Sequence, residues 1–171
     1  MDIQILTAVL GSSISTAFFT KMFDYYIDQK SYKKDKLHDN RIAEIKNFYK
    51  SYYFFKLELE TYLEYTISST HDIGKTKSHS QNAVNLLKDF QYQSMIIKLF
   101  LNQTDYEEVK NLERILLRIK VDIDQFHLAK HWGNNVANFG NRIREIKDVE
   151  LEIKVPELMN GIELSLRSTF T

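Results

Sequence analysis

The sequence predicts an all-α protein: an uncharged N-terminal helix, acting as a single transmembrane span or a hydrophobic docking helix, continues into a cytoplasmic antiparallel bundle of about four helices. Three observations carry this expectation. Residues that break regular structure are scarce, with one proline and five glycines in 171 residues, whereas an all-β chain needs turn residues about every 8–12 positions. Apolar residues recur at three- and four-residue steps over long stretches, the period of one helix face. Residues 3–20 carry no charge at all.

Residues 1–24 read as the anchor. From Ile3 to Phe23 a helix spans about 31 Å, the thickness of a hydrocarbon core. Lys21, Lys30, Lys33, Lys34, Lys36 and Arg41 follow the segment, while only Asp2 precedes it. That asymmetry places the N-terminus outside the inner (cytoplasmic) membrane and the C-terminal domain in the cytoplasm. Phe23, Tyr25 and Tyr26 fall where an aromatic belt meets headgroups, beside a Lys21 able to snorkel. Six polar residues, among them Ser12, Ser13 and Ser15, interrupt apolar ones such as Phe18 and Phe19. A Ser- and Thr-rich span gains by burying its hydroxyls against another helix, and Ala8–Ser12 and Gly11–Ser15 are small-x-x-x-small pairs that let backbones approach. Self-association is therefore expected. The same segment could instead dock on a partner within a soluble complex. A cleaved signal is disfavoured, because the chain opens Met1-Asp2 without a basic n-region.

Residues 25–40 form a basic juxtamembrane connector; residues 30–41 carry five Lys or Arg against two aspartates. They give the topology signal and, secondarily, contact with anionic lipid. Residues 41–171 form the bundle. Ile42, Ile45, Tyr49, Tyr52, Leu59 and Leu63, with Phe55 filling a gap, predict a helix to about Ile67 whose aromatic Phe48–Phe55 stretch is buried on more than one side. The polar run Ser68–Ser80 contains Gly74 and no periodicity, so it reads as the main loop. Ser80 then reads as the N-cap of a helix from Gln81 to about Asn102, with Ala83, Leu87, Phe90, Ser94, Ile97 and Leu101 inward.

Thr104-Asp105-Tyr106-Glu107 resembles a capping box opening a long third helix. Val109, Leu112, Leu116, Ile119, Ile123 and Phe126 repeat at heptad spacing, and Ile115, Val121 and Leu128 widen the stripe toward a bundle rather than a two-strand coil. Gly133 reads as its C-cap. Residues 136–149 read as a helix interrupted by Gly140. Val149, Leu151, Ile153 and Val155 alternate like a short strand, although helix is preferred. Pro156 suits the first turn of a last short helix carrying Leu158, Met159, Ile162, Leu164 and Leu166.

Composition narrows function. Formal net charge is zero, so no global field gathers nucleic acid and none is expected as a specific ligand. With no cysteine, thiolate chemistry and disulfides are excluded. Asp124, His127 and His131 lie at i, i+3 and i+7 on one helix face, a spacing that can hold a metal. A second acid-x-x-His, Asp35 to His38, resembles the pairing of bundle carboxylate sites, but two further inward carboxylates are missing. The alternative is that the three residues line a solvated flank beside Ile123 and Phe126. His127 lacks the adjacent glutamate of zinc-protease helices. No histidine carries the upstream arginine of small helical RNA-cleaving proteins, and Gly74-Lys75-Thr76 lacks the glycine and strand of a phosphate loop.

No catalytic residue, cofactor or metal is therefore expected, and an enzyme is disfavoured. The expected function is a non-enzymatic, membrane-anchored helical protein that self-associates and binds a partner protein. Such a protein suits an effector or accessory component of a bacterial membrane-linked system, for example one of defence. The alternatives are a soluble helical subunit whose N-terminal helix docks on a partner, and a metal-binding helical protein.

Overall fold

In the computed structural model the described residues are 36, 38–68, 73–132 and 137–168, and all the regular structure among them is helical. The chain divides into two compact units, Met1–Ile42 and Ala43–Thr171, and the following concerns the second. The N-terminal positions on which an anchor was expected, from Ala8, Gly11, Ser12, Ser15, Phe18 and Phe19 to Lys34, lie outside the described residues. Lys36 is exposed. Among the described residues no helix is long and apolar enough to cross a membrane.

Helix α1 covers residues 38–67, α2 Ile73–Ile97, and a 3-10 turn Lys98–Phe100 follows. Helix α3 covers Gln103–His131 and α4 Ala137–Glu145; a π-helical segment, Ile146–Lys154, leads without a break into α5, Val155–Ser168. Side-chain pairs fix the topology as up-down-up-down. Phe48 meets Phe90 and Tyr62 meets His79, so α1 and α2 are antiparallel. Ser80 meets Asp124 and Lys98 meets Tyr106, so α3 reverses again. Arg118 meets Glu150 and Phe126 meets Phe139, so the last helical run returns along α3.

The core is built on the predicted periodicities. In α1, Phe48, Tyr52, Phe55, Leu59, Tyr62 and Leu63 are buried at three- and four-residue steps, one apolar face. Phe90 of α2 is fully buried with its ring centroid 5.7 Å from Phe48, 6.2 Å from Phe55 and 6.4 Å from Tyr52. Tilted aromatic pairs of this kind contribute about 0.5–1.5 kcal/mol beyond area burial. The aromatic run is not buried all round, however: Tyr53 and Phe54 face outward. Three buried hydroxyls on these helices bond their own preceding turn, Ser51 to Phe48, Thr66 to Tyr62 and Ser94 to Phe90, so these three need no water.

Two ends differ from the sequence expectation. Residues 73–80 belong to α2 rather than to a loop, and Ser80 lies within the helix, its hydroxyl donating to Asp124 at 3.0 Å. Helix α3 starts one residue before Thr104: Asn102 is the N-cap, its side-chain oxygen accepting from the Asp105 N–H at 2.9 Å while its amide donates to the Asp105 carboxylate at 2.8 Å. That reciprocal pair does the work expected of the Thr104–Glu107 box. At the other end of α1, the Lys130 ammonium donates to the Thr66 and Ser68 carbonyls at 2.9 and 2.7 Å, satisfying acceptors that a helix C-terminus leaves open.

The π segment has two causes in the sequence. The buried apolar residues of the last helical run are Ile143, Ile146, Leu151, Val155, Met159, Ile162 and Leu166; every step is three or four residues except the five from Ile146 to Leu151. A uniform α-helix cannot hold such a skip on one face, whereas i→i+5 winding absorbs it. Pro156 follows immediately, and in regular α-helix its ring clashes with the carbonyl four residues back. The Val155 N–H instead donates to the Glu150 carbonyl five residues back. The strand-like alternation of residues 149–155 is thus the shadow of wide helical winding, and Pro156 lies, as expected, in the first turn of α5, which continues from the π segment without a break.

Burial leaves a pH signature. Desolvation, followed by the charge of Glu163 and partly offset by Arg167, pushes Tyr49 up to about 12; desolvation and Glu60 push Tyr52 to about 12. Burial and then its hydrogen bond to Asp124 raise Tyr62 as well. The unfolded chain releases these protons first, at its ordinary pKa near 10, so it binds fewer protons than the folded one above that pH. The stabilisation is fully present below pH 10 and is lost as pH rises through about 12. Urea denaturation at stepped pH should show a falling midpoint across that window; a flat midpoint there would contradict it.

Candidate functional site

Glu150 is buried with 1% of its side chain exposed, on the inner side of the π segment. Isolated carboxylates are costly in such a place unless paired and hydrogen-bonded. Arg118 of α3 meets it at 2.5 Å and Arg142 of α4 at 3.1 Å. Arg142 also clamps Asp122 of α3 through two nitrogens, at 2.8 and 2.6 Å, and pairs with Glu145 at 3.1 Å. Burial acts to lower the Arg142 pKa, but the hydrogen bonds it donates to Glu150, Asp122 and Glu145 outweigh it and hold it above the ordinary value. Two guanidiniums and three carboxylates thus join α3 to α4 and the π segment.

A second cluster joins α1, α2 and α3. One Asp124 oxygen accepts from the Tyr62 hydroxyl at 2.8 Å and from Ser80 at 3.0 Å, and the other pairs with Lys120, whose side chain is 9% exposed. One residue before Ser80 on α2, His79 Nδ1 lies 2.8 Å from Glu58, which also accepts from the Asn82 amide at 2.7 Å. The His79 ring lies nearly parallel to Tyr62 at 6.3 Å and is tilted against Tyr65 at 5.4 Å. In both clusters the acids are matched to donors on neighbouring helices, an arrangement that positions those helices.

The sequence groups Asp124, His127 and His131, and the structure sends them to different surroundings. Asp124 serves the second cluster, His127 is half-buried and His131 is exposed in the last turn of α3. Ile123 and Phe126 are in the core beside them. Among the described residues no group of three or more His, Cys, Asp or Glu is placed to hold a metal ion.

The feature missed by sequence reasoning is the outer face of α3. Leu117, Val121, Leu128 and Trp132 are 39%, 41%, 53% and 74% exposed. At about 100° per residue they lie opposite the buried stripe of Leu112, Leu116, Ile119, Ile123 and Phe126. Of the three residues expected to broaden the inward stripe, Ile115 does pack against the core, while Val121 and Leu128 point outward. Gln125, Leu128, Ala129, Trp132 and Phe139 line a shallow apolar groove at the end of this face. The signal was present in the residues: α3 carries apolar side chains on two opposite faces, which a helix buried on one side does not need.

No protein-family model, curated protein or solved structure matches the chain. The described residues form an antiparallel helical bundle whose α3 carries exposed apolar side chains on its outer face.

Proposed function

We propose that the protein is a non-enzymatic, membrane-anchored helical protein that self-associates and binds a partner protein, as an effector or accessory component of a bacterial membrane-linked system. Residues 3–20 serve as the anchor in the cytoplasmic membrane, N-terminus outside. The bundle presents the outer face of α3 to the partner. The observation that carries the reading is the apolar stripe Leu117, Val121, Leu128 and Trp132 on the solvent side of α3. Contiguous exposed apolar faces mark interaction sites, and tryptophan is among the residues most enriched where binding energy concentrates. Trp132 is the only tryptophan in the chain. The inward commitment of Glu150, Asp124 and their cations supports a positioning role for the polar residues over a catalytic one.

The test uses the full chain with Leu128→Glu and Trp132→Glu together, expressed in cells and crosslinked before fractionation. The substitutions are expected to abolish crosslinks from the bundle to a second polypeptide. Both the chain's recovery with the membrane fraction and its stability should be retained, since exposed substitutions change stability by only about 0.5 kcal/mol. Crosslinks that survive both charges would remove α3 from the reading. Recovery of the wild-type chain in the soluble fraction without detergent would remove the anchor.

A further inference from the structure

The skip that creates the π segment has two places to sit. In the observed register the inward residues run Ile146, Glu150 with Leu151, Val155, Met159, Ile162, and Val149 and Ile153 are left 36% and 49% exposed. If the winding stays α-helical to residue 153, the inward series becomes Ile146, Glu150, Ile153, Leu158, Ile162, with the five-residue step moved to 153–158 and across Pro156. Everything before Ile146 and after Ile162 keeps its face in both registers, so the exchange needs no movement of the bundle ends. Leu158 already packs partly against the core. Pro156 supplies no N–H in either register, so a wide turn spanning it forfeits no donor.

Glu150 distinguishes the two. In the observed register its carboxylate is turned to the flank of the helix run that carries Arg142 and bonds both Arg142 and Arg118. Winding α to residue 153 turns position 150 away from Arg142 and toward the bundle axis, where a charged carboxylate is unmatched. We propose that residues 146–158 are a two-register element: the Glu150 clamp holds the wide turn at 146–154, and release of the clamp moves it one turn toward the C-terminus, bringing exposed Ile153 and half-buried Leu158 inward in place of Leu151, Val155 and Met159. A ligand or partner that covers the 149–153 surface or competes for half-exposed Arg118 then biases a pre-existing equilibrium. The device changes which apolar side chains that surface displays without unfolding the bundle.

The absence of native cysteine makes single thiols unambiguous reporters. Leu151→Cys and Ile153→Cys are made separately in the full chain, with and without Glu150→Leu, and their alkylation rates are compared under native conditions. Glu150→Leu is expected to accelerate alkylation at position 151 and to slow it at position 153, each by about tenfold, the effect of removing the favoured state's buried ion pair. Acceleration at both positions would mean local unravelling and would overturn the proposal, as would no change at either. If Leu151→Cys with Glu150→Leu does not fold, Arg118→Gln replaces it as the milder release, and the same opposite-sign criterion decides.

Discussion

Arg142→Met should destabilise the bundle by about 3–5 kcal/mol, while Glu150→Leu, at the more deeply buried partner, should cost no more than about 1–2 kcal/mol. The asymmetry follows from what each change leaves behind. Without Arg142, a carboxylate that is 1% exposed keeps only Arg118, and Asp122 and Glu145 lose the guanidinium they share. Without Glu150, Arg142 retains Asp122 and Glu145, and Arg118, with 54% of its side chain exposed, returns to water. Leucine at 150 also adds apolar burial. Combining the two substitutions should recover most of the Arg142→Met loss, because the stranded carboxylate is then absent; the coupling read from a double-mutant cycle should fall at about 1–3 kcal/mol. Urea denaturation of the four proteins measures it. Equal costs for the two single variants would show that the cluster is solvent-screened and sets no register.

What could be read from the sequence depended on whether polarity meant exposure. In α3 the heptad series Val109 to Phe126 is apolar and buried throughout, so period and burial agreed. Residues 73–80 fail that test. His79 and Ser80 look like loop residues beside Gly74, Lys75 and Lys77, yet in the structure they answer Glu58 and Asp124 on neighbouring helices. A one-dimensional pattern holds no record of a carboxylate waiting on another helix, so buried polar pairs read as surface.

The opposite error occurs on α3's outer face. There Val121 and Leu128 are apolar and exposed, and a pattern argument sends them inward to widen the stripe. The π segment combines both difficulties: Glu150 is charged and buried, Ile153 apolar and exposed, and the buried apolar series skips five residues from Ile146 to Leu151. Its alternation was visible in residues 149–155, but strand and wide helix produce the same local sequence, and only the continuity of α4 with α5 separates them. The Arg118, Asp122, Arg142 and Glu150 cluster had no spacing signature because its members are up to 32 positions apart.

Asp124 gives the second large effect, since three donors converge on it. Asp124→Ala should cost about 3–5 kcal/mol, because it leaves Lys120, Tyr62 and Ser80 without their acceptor and each unsatisfied buried group costs about 1–3 kcal/mol. Two milder variants divide the sum. Tyr62→Phe removes one donor and leaves the ring against His79, so about 0.5–1.5 kcal/mol is expected. Asp124→Asn keeps an oxygen for Tyr62 and Ser80 but places an uncharged amide beside Lys120, whose ammonium is nearly enclosed, and should fall between the other two. The order Asp124→Ala, Asp124→Asn, Tyr62→Phe, from most to least destabilising, is readable from urea midpoints on the same chain. If Asp124→Ala melts within 1 kcal/mol of the parent, Lys120 must reach solvent and the three-helix junction is held by its apolar contacts alone. If instead the order holds, the acid at position 124 sets the rotation of α3 in the bundle, and with it the direction in which Leu117, Val121, Leu128 and Trp132 face the solvent.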